Sequence, residues 1–105
     1  MSASASSMMY MVIERFRNRD ARPIYERFRD HGRMMPEGLR YVSSYIETNF
    51  DRCFQLIECE DEALFRRWTM HWADLMDFEI VPVMTSAEAS SKVLSPAGDR
   101  SNSLR

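Results

Sequence analysis

A chain of 105 residues with 45% hydrophobic and 29% charged residues has room for one modest domain and one core. A net charge of −2 gives no concentrated positive surface for a phosphate backbone, so nucleic acid is an unexpected partner. Basic clusters do occur, at Arg15, Arg17, Arg19 and Arg22 and at Arg27, Arg29 and Arg33, but Glu14, Asp20, Glu26 and Asp30 largely offset them. The chain has no run of 18 apolar residues, so no membrane-spanning helix is expected.

In chain order, Met1–Ser7 lacks a basic region and an apolar core, unlike a secretory signal, and reads as a disordered extension. Residues 8–15 form a first strand, Met-Met-Tyr-Met-Val-Ile-Glu-Arg, and Arg17-Asn-Arg-Asp20 a polar turn. Pro23 suits the first turn of a helix over 23–32, with Ile24, Tyr25 and Phe28 apolar and Gly32 as its stop. A turn-like loop over 33–38 leads to a second strand over 39–47. Strict alternation there places Tyr41, Ser43 and Tyr45 on one face and Val42, Ser44 and Ile46 on the other. Thr48-Asn-Phe-Asp51 is a hairpin loop before a third strand over 52–58. Asp61 caps a second helix over 62–75, whose stripe of Leu64, Phe65, Trp68, Trp72 and Leu75 has the clearest helical period in the chain. A fourth strand covers 77–84, and Pro82, lacking a ladder donor, assigns it to an edge. Thr85-Ser-Ala-Glu88 is a capping-box pattern for a short last helix. From Ser90 the composition becomes that of a flexible tail, so the folded domain is expected over 8–89 and the tail over 90–105.

The resulting order, β-α-β-β-α-β, predicts an α+β, ferredoxin-like fold with a four-stranded antiparallel sheet. Right-handed crossovers put the first and third strands at its centre. These strands are apolar on both faces, whereas a sheet with one wet face alternates. Two helices cover one face only. The simplest cover for the other is a second copy of the chain, packed sheet to sheet as a two-fold homodimer.

Met9-Tyr-Met-Val-Ile-Glu-Arg-Phe16, Gly38-Leu-Arg-Tyr-Val-Ser-Ser44, Arg52-Cys-Phe-Gln-Leu-Ile-Glu58 and Asp77-Phe-Glu-Ile-Val-Pro-Val83 resemble a family of small bacterial proteins, domain of unknown function 3303. The resemblance spans residues 8–89. It implies a dimeric α/β barrel and supplies no reaction and no catalytic residues. The wider dimeric-barrel group includes cofactor-independent monooxygenases, isomerases and decarboxylases as well as ligand sensors, an analogy at the level of fold.

Candidate chemistry is sparse. His71, on the flank of the second helix's stripe, has Arg67 and Asp74 at i−4 and i+3; it is either a general base or acid oriented by Asp74, or a boundary histidine with local polar contacts. His31, near the end of the first helix, reads as a helix-terminus histidine or a ligand contact. Trp68 and Trp72 are core residues or the aromatic wall of a pocket between helix and sheet. Tyr41 and Tyr45 are surface residues or hydroxyls aimed into a barrel mouth. Glu14, Gln55, Glu58 and Glu79 interrupt apolar strands; each carboxylate is an interface ion pair, with Arg15 or Arg52 as partner, or a base in a dry site.

Cys53 and Cys59 are about 20 Å apart if they share a strand, too far for a disulfide, and free thiols fit a reducing, cytoplasmic setting. Their spacing and that of His31 and His71 match no metal signature, so no metal or other cofactor is expected; haem, which needs one axial histidine, stays open. No phosphate loop, nucleophile elbow or Ser-His-Asp order occurs. Two functions remain. One is a dimeric barrel binding a small, partly apolar organic molecule, with Tyr45, Trp68, His71, Trp72 and Glu58 as the site and Tyr41 beside it. The other is a structural or interaction module with a filled interior.

Overall fold

Strand-forming residues dominate wherever the sheet forms, and Pro23, Gly32 and Asp61 punctuate the helices between. The structure, a computed structural model that describes residues 8–95, has β1 (Met8–Phe16), a 3₁₀ turn (Arg17–Arg19), α1 (Arg22–His31), β2 (Leu39–Ile46), β3 (Arg52–Cys59), α2 (Ala63–Thr69), β4 (Met76–Val83) and α3 (Ser86–Leu94). The strands pair antiparallel in the order β2-β3-β1-β4, which is the ferredoxin-like arrangement, with Pro82 on an edge strand. The extension expected over 1–7 and the tail beyond residue 95 lie outside the described residues.

The register separates the two sheet faces cleanly. Tyr10, Val12, Glu14 and Phe16 of β1 and Cys53, Gln55, Ile57 and Cys59 of β3 are all buried, on the face shared with the helices. Ile24 of α1, Phe65 and Trp68 of α2, Trp72 and Met76 close over them as one core. Tyr10 meets Phe65 edge-on at 5.1 Å, which fixes α2 across the centre of the sheet. Met9, Met11, Ile13, Phe54, Leu56, Val81 and Val83 occupy the opposite face, where each is half-buried. The described chain extends 50 × 34 × 18 Å, and the shortest dimension matches one sheet plus one layer of helices.

Three elements depart from the pattern read in the sequence. In β2 the pairing jumps from Tyr41–Ile57 to Ser43–Leu56, so Val42 is an extra, bulged residue. The bulge reverses the alternation: Tyr41, Ser44 and Ile46 share the helix face, while Ser43 and Tyr45 share the open one. The row Tyr41-Ser43-Tyr45 is therefore split.

The helix expected over 62–75 ends at Thr69. Residues 70–75 continue in tighter turns, with His71 N–H to Trp68 C=O at 3.0 Å, Trp72 to Thr69 at 2.9 Å and Leu75 to Trp72 at 2.9 Å. Arg27 pins this segment, donating to the His71 carbonyl at 2.8 Å and to both Asp74 carboxylate oxygens at 2.8 Å. Trp72 stays in the core. Finally, the capping box at Thr85 and Glu88 forms, and the helix it starts runs to Leu94, past residue 89. α3 buries none of its residues.

Candidate functional site

The helix layer does not fill the space above β1 and β3. A half-open cavity of about 110 Å³ remains between the sheet, α1 and the α2–β4 segment. Its wall is mostly apolar, with Trp68, Trp72, Phe16 and Met76 prominent, and β2 adds Ile46; the polar groups on it are Glu14, Arg33, Ser44, Cys53 and Gln55. An apolar wall with a few converging polar groups is the usual form of a ligand site. The volume is somewhat below the ~150 Å³ engineered cavity that holds benzene, so it suits a small occupant.

Glu14 is the chemical centre of this cavity. It lies in mid-strand on the helix face, where alternation points its side chain inward, and it is only 5% exposed. Gln55, on β3 two residues along from Cys53, which pairs directly with Glu14, donates Nε2–H to Glu14 Oε2 at 2.7 Å. Burial pushes the Glu14 carboxyl up to about 7; the hydrogen bonds from Gln55 and Cys53 and the charge of Arg33 pull the other way without overcoming it. The same burial, with the neighbouring Glu14 charge, pushes the Cys53 thiol up to about 12, so it stays protonated. Tyr25, across the cavity on α1, is also raised by burial.

Arg33 closes the polar group from the loop after α1. Its Nε donates to Gln55 Oε1 at 3.4 Å, so the Gln55 amide stands between the guanidinium and the Glu14 carboxylate. The guanidinium lies 3.8 Å from the ring centre of Tyr41 and 5.0 Å from that of Phe28. Its backbone is held as firmly: the indole N–H of Trp68 and that of Trp72 both donate to the Arg33 carbonyl, at 2.9 and 3.1 Å. The two tryptophans thus line the cavity and position the loop that carries its cation.

The remaining residues singled out in the sequence are dispersed. His71 is exposed and outside the cavity, and Asp74 pairs with Arg27 rather than orienting it. His31 is exposed at the end of α1 and does not line the cavity either. Glu58 lies on the open face and pairs with Arg40, and Arg52 pairs with Glu47. Tyr45, 65% exposed, also sits on the open face. Tyr41 does not itself line the cavity; it reaches the site through its contact with Arg33 and through its hydroxyl, 2.8 Å from Oγ of the lining residue Ser44. Trp68 and Trp72 are the two that the fold brings together at the cavity. Glu14 and Gln55 belong there as polar residues in apolar strands, the signal that marks them in the sequence. Arg33 carries no such signal: it is one arginine in a loop, and only the fold shows which cluster it joins.

Among the described residues no group of three or more His, Cys, Asp and Glu is placed to hold a metal ion, and no helix is long and apolar enough to cross a membrane. Cys53 and Cys59 are both free and buried. Neither a curated protein nor a solved structure matches the chain. A family profile does, over residues 8–96, and with its match covering most of the sequence the chain belongs to the family described as domain of unknown function (DUF3303).

Proposed function

We propose that this protein binds a small, partly apolar organic molecule in the cavity beneath α1 and α2, and does so as a homodimer joined through the open faces of its sheets. The observation that carries the ligand reading is the position of Glu14: a carboxyl buried in an aromatic-lined cavity, held there by Gln55 rather than neutralised by an ion pair. A core built only for stability gains nothing from such a group, because a buried carboxylate costs more than an apolar residue of the same size. Its pKa of about 7 leaves it shared between the neutral and charged forms at neutral pH, which suits a residue that gives or takes a proton. Proton transfer at Glu14, without a cofactor, is the chemistry this arrangement offers if the bound molecule is transformed.

The open face supports the dimer. Its centre is apolar, and its ends carry both signs of charge, Arg40 with Glu58 at one and Arg15 opposite Asp77 at the other. A face that carries both signs around an apolar centre can complement itself across a two-fold axis.

Two-dimensional NMR with a library of small organic molecules tests the ligand reading. The Trp68 and Trp72 indole N–H groups and the Gln55 side-chain amide give separate signals inside the site. Binders are expected to shift these three together. Molecules that bind at millimolar concentration yet shift only residues elsewhere would refute the assignment.

A further inference from the structure

Resting on that reading, we infer that the occupant is a small carboxylate with an apolar body of about four to six heavy atoms, its carboxylate held by Arg33 and its body against Trp68, Trp72, Phe16 and Met76.

Arg33 carries the inference. Seven arginines of this chain, Arg17, Arg19, Arg22, Arg27, Arg29, Arg40 and Arg52, each sit within ion-pair distance of an Asp or Glu. Arg33 lines the cavity and has no such partner among the described residues. Among the described residues its one side-chain hydrogen bond is the long one from Nε to Gln55 Oε1, at 3.4 Å. Both η nitrogens, the fork that matches a carboxylate, have no protein acceptor among the described residues. Tyr41 and Phe28 support the guanidinium through their rings, an interaction that uses no N–H donors. The two indole hydrogen bonds to its carbonyl hold the residue in place before any ligand arrives. A cation so fixed, with its donors free and a small apolar chamber beside it, is complementary to an anion on an apolar body.

Glu14 then makes binding depend on pH. The groups facing it are Gln55 and the Cys53 thiol from β3, Tyr25 from α1 and Arg33 from the following loop; β4 contributes Phe78 and α2 contributes Trp68, both uncharged. Cys53 and Tyr25 both stay neutral at physiological pH, so Glu14 is the group among these that changes charge around neutrality. Ionised, it repels the incoming carboxylate; protonated, it does not and can donate to it. Affinity for the carboxylate therefore rises as the pH falls through the Glu14 titration.

Calorimetric titration with 3-methylbutanoate and with its neutral counterpart 3-methylbutanamide, at pH 6 and pH 8, tests this. The acid is ionised at both values. It is expected to bind more tightly than the amide, and about tenfold more tightly at pH 6 than at pH 8, with the amide insensitive to pH. Glu14→Gln is expected to remove the pH dependence and keep the preference for the acid. Arg33→Gln is expected to abolish the preference and leave amide binding in place; Arg33→Lys, which keeps the charge and loses the fork, should fall between. Thermal melts verify that each variant is folded. Amide binding with the acid excluded, or acid binding unchanged in Arg33→Gln, would overturn the carboxylate inference and leave the cavity reading standing. Absence of binding by either probe, together with unmoved indole signals, would overturn both.

Discussion

Glu14 costs the fold stability whenever it is ionised. Its carboxyl moves from an ordinary 4.5 in the unfolded chain to about 7 in the folded one. Between those values the native state holds a proton that the unfolded state has released, so stability is fullest below pH 4.5 and declines as the pH rises towards 7. A shift of that size corresponds to a cost on the order of 3 kcal/mol above neutrality. Glu14→Gln keeps an oxygen to accept from Gln55 and removes the charge. It is expected to raise stability at pH 8, by up to that amount, and to flatten the slope between pH 5 and 7, as read from urea unfolding at several pH values. Gly38 makes a different demand. Its φ is +104°, and a Cβ there would stand 2.6 Å from Leu64 Cδ1. Gly38→Ala is expected to lower stability by about 1–3 kcal/mol through strain and displacement of Leu64, measured by the shift in denaturation midpoint.

At the scale of elements, the sequence is most informative where periodicity and punctuation agree. Pro23 and Gly32 bracket α1 to within one residue, and Pro82 identifies the edge strand. The Thr85–Glu88 box forms with Glu88 N–H to Thr85 Oγ1 at 3.0 Å and Thr85 N–H to Glu88 Oε1 at 2.8 Å. Because α3 buries none of its residues, these bonds matter more to it than packing does. Glu88→Ala is expected to destabilise it by about 1 kcal/mol, seen as faster amide hydrogen exchange over residues 86–94 with the rest of the chain unchanged. Where β2 bulges, periodicity misleads. Nothing in Tyr-Val-Ser-Ser-Tyr announces an extra residue, and a single one at Val42 moves Tyr45 to the opposite face from Tyr41. The shortening of α2 is equally silent in the sequence. It is secured by Arg27, which comes from a helix some 45 residues earlier, and no local pattern reports such a contact.

On the scale of the molecule, the apolar character of both strand faces reflects two separate demands. One face closes against the helices and encloses the Glu14–Arg33 cavity; the other has Met11, Ile13, Phe54 and Leu56 half-buried at its centre. The sequence shows that both faces are apolar and that Glu14 and Gln55 break the pattern. It does not show that these two share a face with Trp68 and Trp72, or that Arg33 joins them, because those facts depend on register and on the path of a loop. Leu56→Lys places a charge in the middle of the open face, away from the helix-side core. It is expected to separate the proposed dimer by sedimentation while leaving the circular dichroism of the fold in place.

Native mass spectrometry at micromolar protein, alone and with millimolar 3-methylbutanoate, bears on both faces at once. Twice the 12.4 kDa chain mass, with up to one small molecule added per chain, is the expected result. A bare monomer under both conditions would contradict the dimer and the ligand site together.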